Sequence, residues 1–162
     1  MKNFENRLFQ EYRLKFYLNG NHWVIFNNKR GETHPHTWEF TLNILIGRES
    51  FVEFNVYEKA IDAFFRPYQN RVLNDIDPFD AIAPTLENMV EFFGKGVQEL
   101  VKKIGGRLLS IEGSETPTRS YIINFNDAFD SYHLEEYTEE VMHNVIDAVL
   151  DDILEDMGGS AV

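Results

Sequence analysis

The chain contains no cysteine. That absence excludes disulfides, Cys-ligated zinc, iron–sulfur clusters and any Cys nucleophile. Long apolar runs are missing too: no stretch approaches the eighteen or so residues that a membrane-spanning helix needs. The opening segment, MKNFENRLFQEY, lacks the unbroken apolar core of a secretory signal. These features lead us to expect a soluble, cytoplasmic protein. Positive charge is absent from one region altogether. Residues 125–162 hold 11 of the 27 acids and no Lys or Arg, which leaves 16 acids against all 15 bases in residues 1–124. The formal charge of −12 is therefore mostly a property of the C-terminal quarter. Neither part carries the basic face that nucleic acids or anionic membranes require, so neither partner is expected.

What is present suits a folded domain. Of the 162 residues, 43% are hydrophobic and 14% aromatic, 14 of them Phe, enough for a substantial core. The charge break near residue 125 divides the chain into a nearly neutral body, 1–124, and an acidic extension, 125–162. In the extension Val141, Met142, Val145, Ile146, Val149, Leu150, Ile153, Leu154 and Met157 repeat at helical spacing. Thr138 is the expected N-cap, and Gly158-Gly159 the stop. Such a helix docks on its own body or a neighbouring subunit, or serves as a docking helix for another protein.

In the body, residues 8–18 read as a strand, Asn19-Gly20-Asn21 as a turn and 27–33 as a loop. Residues 36–46 are the clearest strand. Trp38, Phe40, Leu42, Ile44 and Ile46 fall on one face, and Thr37, Glu39, Thr41 and Asn43 on the other. A helix is expected over 56–72, kinked or split at Pro67. A second runs from Pro84 to about Ile104, closed by Gly105-Gly106. Two short strands, 107–113 and 119–125, flank a turn. The order β-β-α-α-β-β followed by a tail helix indicates an α+β fold with helices on one sheet face.

The most specific local chemistry is His34-Pro35-His36, with His22 upstream. Strand residues i and i+2 point the same way, so His34 and His36 can chelate one ion. A third imidazole from His22 completes a three-His site with an open fourth position, as in catalytic zinc. The competing reading is an exposed loop–strand junction with His22 an ordinary turn residue. His133 and His143 read as surface residues.

Further segments of the chain resemble the 6-pyruvoyl-tetrahydropterin synthase and 6-carboxy-tetrahydropterin synthase family, whose architecture is the T-fold, or tunnelling fold. His22 stands at the place of the first zinc ligand, and His34-Pro35-His36-Thr37 is similar to the family's HGH-Ser/Thr segment. Glu53-Phe54 stands in the DF position, and Val72-Leu73-Asn74-Asp75 resembles the end of LDHxxLN. Pro84-Thr85-Leu86-Glu87-Asn88 matches PTxEN, and Glu115-Thr116-Pro117-Thr118 resembles an ETPT segment. These occur in family order over residues 8 to about 125.

The resemblance implies a four-stranded antiparallel sheet with two helices on one face, here with an extra C-terminal helix. It implies a zinc-dependent, lyase-like enzyme acting on a dihydroneopterin-type substrate and assembling as a hexamer, a dimer of trimers. His22, His34 and His36 become the zinc ligands. Glu115 becomes the anchor of the pterin ring, since a carboxylate accepts two hydrogen bonds from an N–H/NH2 edge. The proton-transfer set departs from the family. Arg30 replaces the Cys base, and Gln69 and Asn70 replace an Asp-His pair. Glu32 is the catalytic candidate left, although it stands two residues before His34 where the family's ExxHGH branch has three. Arg30 is a candidate for holding a substrate phosphate or carboxylate. The same departures leave open a T-fold protein that binds metal and a pterin or purine without chemistry, or a purely structural oligomer.

Overall fold

The computed structural model describes residues 10–46, 52–125 and 136–158. Two 13-residue strands, β1 (Gln10–His22) and β4 (His34–Ile46), pair antiparallel from Gln10↔Ile46 to His22↔His34. Between them stands a small hairpin, β2 (Ile25–Phe26) and β3 (Lys29–Arg30). Its Asn27 and Asn28 take φ of 50° and 59°. That is the left-handed pair a tight two-residue hairpin turn demands, and Asn tolerates it. The expected loop over 27–33 thus contains a hairpin.

After β4 come α1 (Phe54–Phe65), a short 3-10 turn Arg66–Tyr68, β5 (Arg71–Val72), α2 (Leu86–Ile104), β6 (Arg107–Thr116), β7 (Arg119–Asn124) and α3 (Glu136–Gly158). The sheet order is β5-β1-β4-β6-β7. The sheet therefore has five strands rather than four, and β5 runs parallel to β1. A two-residue strand carries no periodicity, which is why the sequence conceals it. Pro67 does split the expected helix, with α1 ending at Phe65 and Pro67 sitting in the 3-10 turn.

The Asn19-Gly20-Asn21 segment is strand, not turn. Gly20 is there for space. A Cβ on it would stand 3.0 Å from the Arg71 carbonyl oxygen and 3.4 Å from the Trp38 ring. Helix α2 starts two residues later than expected, at Leu86: Thr85 is the N-cap and accepts from the Asn88 amide at 3.3 Å, so Pro84 precedes the cap. Gly105, at φ 105°, closes the helix as expected.

Helices α1 and α2 cover one sheet face. Between them and β4 lies an aromatic core of Phe40, Phe64, Phe65, Tyr68, Phe79, Phe92 and Phe93, every one buried. Burying one such ring stabilises the fold by roughly 1.5–3 kcal/mol. Helix α3 forms a third layer on α1 and α2. It buries Ile146 and Val149, half-buries Val145, Leu150 and Ile153, and ties Lys103 to Asp147 at 2.7 Å. The described part of the tail helix thus docks on its own body. It begins at Glu136, so Thr138 lies inside it and is not its cap. His143 is exposed, as expected. His133 and Gly159 lie outside the described residues, and the charge break at 125 abuts an undescribed segment.

Candidate metal centre

The β1–β4 register builds the site. His22 closes β1 directly opposite His34, and His36 follows two residues later on the same face of β4. The three rings stand edge to face, with centroids 4.6, 4.9 and 4.8 Å apart. One ligand atom from each lies within 4.8 Å of the others. His22 is 2% exposed, while His34 and His36 are half-buried.

The hydrogen bonds fix the tautomers. His22 Nδ1 lies 2.7 Å from the Pro84 carbonyl oxygen, and His34 Nδ1 lies 2.9 Å from the Glu32 carbonyl oxygen. A carbonyl only accepts, so each Nδ1 donates and carries the proton. The Nε2 atoms of the two rings then face each other, 3.0 Å apart. Two ring nitrogens at that distance share a proton or ligate one metal ion. Nitrogens of one tetrahedral zinc lie roughly 3.3 Å apart, given zinc–nitrogen bonds of about 2.0–2.1 Å. The donor set, its orientation by backbone carbonyls and its burial all fit a divalent transition metal. Burial pushes the His22 imidazole below its ordinary value. The Pro84 carbonyl opposes this, and the neighbouring imidazoles add to it. Burial lowers His36 as well, against the pull of Glu115 and with help from His34. Both shifts favour the neutral, metal-binding form.

Several segments converge here. Asn74 clamps the residue after His22. Its Oδ1 accepts from the Trp23 amide at 2.9 Å, and its Nδ2 donates to the Trp23 carbonyl at 3.0 Å. Trp38, the next same-face residue on β4, donates its indole N–H to Glu115 Oε1 at 3.1 Å. Glu115 is thereby brought beside the histidines. Asn74, Trp38 and the Pro84 and Glu32 carbonyls were not singled out from the sequence. Trp38 follows the same i, i+2 spacing that marks His34 and His36. A backbone carbonyl leaves no sequence signal.

The remaining candidates are placed differently. Arg30 stacks its guanidinium 4.3 Å from the centre of the Trp23 ring. The Glu32 carboxylate is exposed, and this residue's contact with the site is through its backbone. Gln69 is spent on the edge of β1: its Oε1 accepts from the Asn19 amide at 3.0 Å, and its Nε2 donates to the Tyr17 carbonyl at 2.8 Å. Asn70, at φ 57°, donates its amide to the Asn19 carbonyl at 2.7 Å. Its side chain joins Asn19, Asn21, Thr37 and His36 around an open depression of about 450 Å3 that has no carboxylate in its lining.

The family model described as 6-pyruvoyl tetrahydropterin synthase matches residues 10–126. The chain belongs to that family. The fold agrees. The 6-pyruvoyl tetrahydropterin synthase of Caenorhabditis elegans superposes with a TM-score of 0.62 at 12% identity, over 74% of this chain and 97% of that one. The Plasmodium falciparum enzyme gives 0.54 at 12% identity over 72% and 98%. The Plasmodium vivax enzyme gives 0.52 at 13% over 72% and 99%. At such identities the likeness is one of fold. No curated protein matches the chain. Among the described residues no helix is long and apolar enough to cross a membrane.

Proposed function

We propose that this family member is a zinc-dependent pterin enzyme acting on a dihydroneopterin-type substrate, with His22, His34 and His36 as the metal ligands. The observation that carries this reading is the clustering of the three imidazoles, one ligand atom of each within 4.8 Å of the others, with two of the rings turned Nε2 inward by carbonyls at their Nδ1 atoms. Bound zinc supplies a Lewis acid that polarises and acidifies a substrate oxygen. The chain's own residues do the rest. The Pro84 and Glu32 carbonyls hold two imidazoles in the ligating tautomer, and the half-buried Glu115 carboxylate receives the N–H/NH2 edge of the pterin. Glu32 is the one carboxylate in the segment leading to His34, and it is the candidate for moving a proton. Arg30, held on Trp23, is the candidate for a substrate anion.

The body, 1–124, acts as the catalytic unit, with the acidic extension as an accessory layer. In a cytoplasmic homo-oligomer, a hexamer built from two trimers, β7 of one subunit would continue the sheet at β1 of the next. Support comes from β5, which covers only Gly20 and Asn21 of β1, and from the need to cover sheet edges.

One specific observation favours a second reading, in which the protein binds metal and pterin without turning over. The three positions of the family's proton-transfer set carry a guanidinium stacked on Trp23, an amide clamped to β1 and an amide facing a neutral depression. None of them exchanges protons near neutral pH. The test is incubation of the zinc-loaded protein with dihydroneopterin triphosphate and with dihydroneopterin. Product formation abolished by Glu32→Gln supports the enzyme. Tight pterin binding that raises the melting temperature without turnover supports the binder. Absence of both overturns the pterin reading.

A further inference from the structure

Trp38 touches both the histidine cluster and Glu115. Its ring lies 5.0 Å from that of His22 and 5.1 Å from that of His36, and its Nε1–H donates to Glu115 Oε1 at 3.1 Å. It is 0% exposed. Gly20, opposite the indole, has no side chain to displace it: a Cβ there would meet the ring at 3.4 Å. An apolar ring such as Phe would fill the same space. The indole adds a single donor, which has no acceptor function and must be satisfied when buried. Its partner is a carboxylate, the stronger class of acceptor.

We propose that Trp38 is a positioning residue that locks the Glu115 carboxylate at a fixed place relative to the three-histidine centre. This rests on the reading that the site takes a pterin. The lock engages Oε1, and the carboxylate has a second oxygen with which to accept from a ligand edge. A ligand held at one end by the metal and at the other by Glu115 is then selected by length, because neither anchor can slide. A loose carboxylate would accept ligands of varied length and would lose rotamer freedom on each binding event.

The test uses the zinc-loaded full chain with Trp38→Phe, Glu115→Ala and the double variant, measuring zinc affinity and neopterin affinity for each. It adds the Trp38 indole N–H resonance in the wild type and in Glu115→Ala. The expected result is a roughly tenfold weaker neopterin affinity in Trp38→Phe, with zinc affinity within about twofold of wild type. In the Glu115→Ala background the same change should alter neopterin affinity less than about twofold, since the group to be positioned is gone. An equal loss in both backgrounds, or none in Trp38→Phe, overturns the lock. The resonance should shift on Glu115→Ala, and this arm needs no folded Trp38 variant. An unmoved resonance overturns the lock whatever the pterin does. A shifted resonance in a protein that loads zinc but binds no pterin retains the lock and discards the pterin reading.

Discussion

Replacing His34 by Ala separates a metal centre from a cluster of structural histidines. Its Nε2 faces that of His22 at 3.0 Å, and both Nδ1 atoms lie at hydrogen-bond distance from backbone carbonyls. A half-buried ring at the end of a strand contributes little packing. His34→Ala is therefore expected to leave the chelator-treated protein within about 1 kcal/mol of wild type, against the 2 kcal/mol or more of a core truncation. Zinc should separate the two proteins. Free zinc at about a thousand times its Kd stabilises the native state by roughly 4 kcal/mol. For a chain of this size that is a rise in melting temperature of about 8–16 °C. His34→Ala should lose most of that rise. The assay is thermal melting of both proteins with chelator and with a zinc titration. A metal-free His34→Ala protein destabilised by more than about 2 kcal/mol, together with a wild type indifferent to zinc, would refute the reasoning. The histidines would then be a proton-sharing structural pair.

Three other outcomes follow from the same structure. Gly96→Ala gains up to about 1 kcal/mol of helix propensity. The added Cβ would meet the Phe64 ring, however, with Cε2 at 2.7 Å. Net destabilisation of about 1–3 kcal/mol is expected in denaturant unfolding, and a stabilised variant would contradict the packing of α1 on α2. The His22 and His36 imidazoles sit below their ordinary value of 6.5 because of burial, so the unfolded chain takes up protons first as pH falls. Their contribution is complete above about 6.5 and is lost as pH drops below it toward the lowered native values. Chelator-treated protein should melt lower at pH 5.5 than at 7.5, with a weaker dependence in His22→Ala; equal dependence would count against the burial of His22. Gln69→Ala removes two hydrogen bonds to the β1 edge and is expected to cost about 1 kcal/mol. It should leave any turnover unchanged, and a loss of turnover at unchanged stability would give Gln69 a chemical role.

The parts of the fold legible in the sequence were those with long periodicities. The alternation from Trp38 to Ile46 marked β4, and the breakers Pro67 and Gly105 ended their helices where expected. The His34-Pro35-His36 spacing marked the centre of the site. Short elements escaped, because β5 and the β2–β3 hairpin are made of two-residue strands too short to show periodicity, and β5 pairs with residues some fifty positions away. Gly20 misled for a physical reason: glycine serves both turns and close approach, and only the fold shows the Arg71 carbonyl and the Trp38 ring beside it. The carbonyls that orient His22 and His34 have no residue signature at all. Gln69 and Asn70 were visible as departures from the family pattern, but their work along the β1 edge was not.

The central claim is that His22, His34 and His36 ligate one metal ion. Zinc-edge X-ray absorption on protein purified without chelator tests it most directly, read together with metal stoichiometry. The account predicts about one zinc per chain with three imidazole nitrogens at about 2.0–2.1 Å, and loss of the metal in His36→Ala. Metal-free protein that cannot be loaded, or zinc bound through oxygen ligands and retained in His36→Ala, would contradict it.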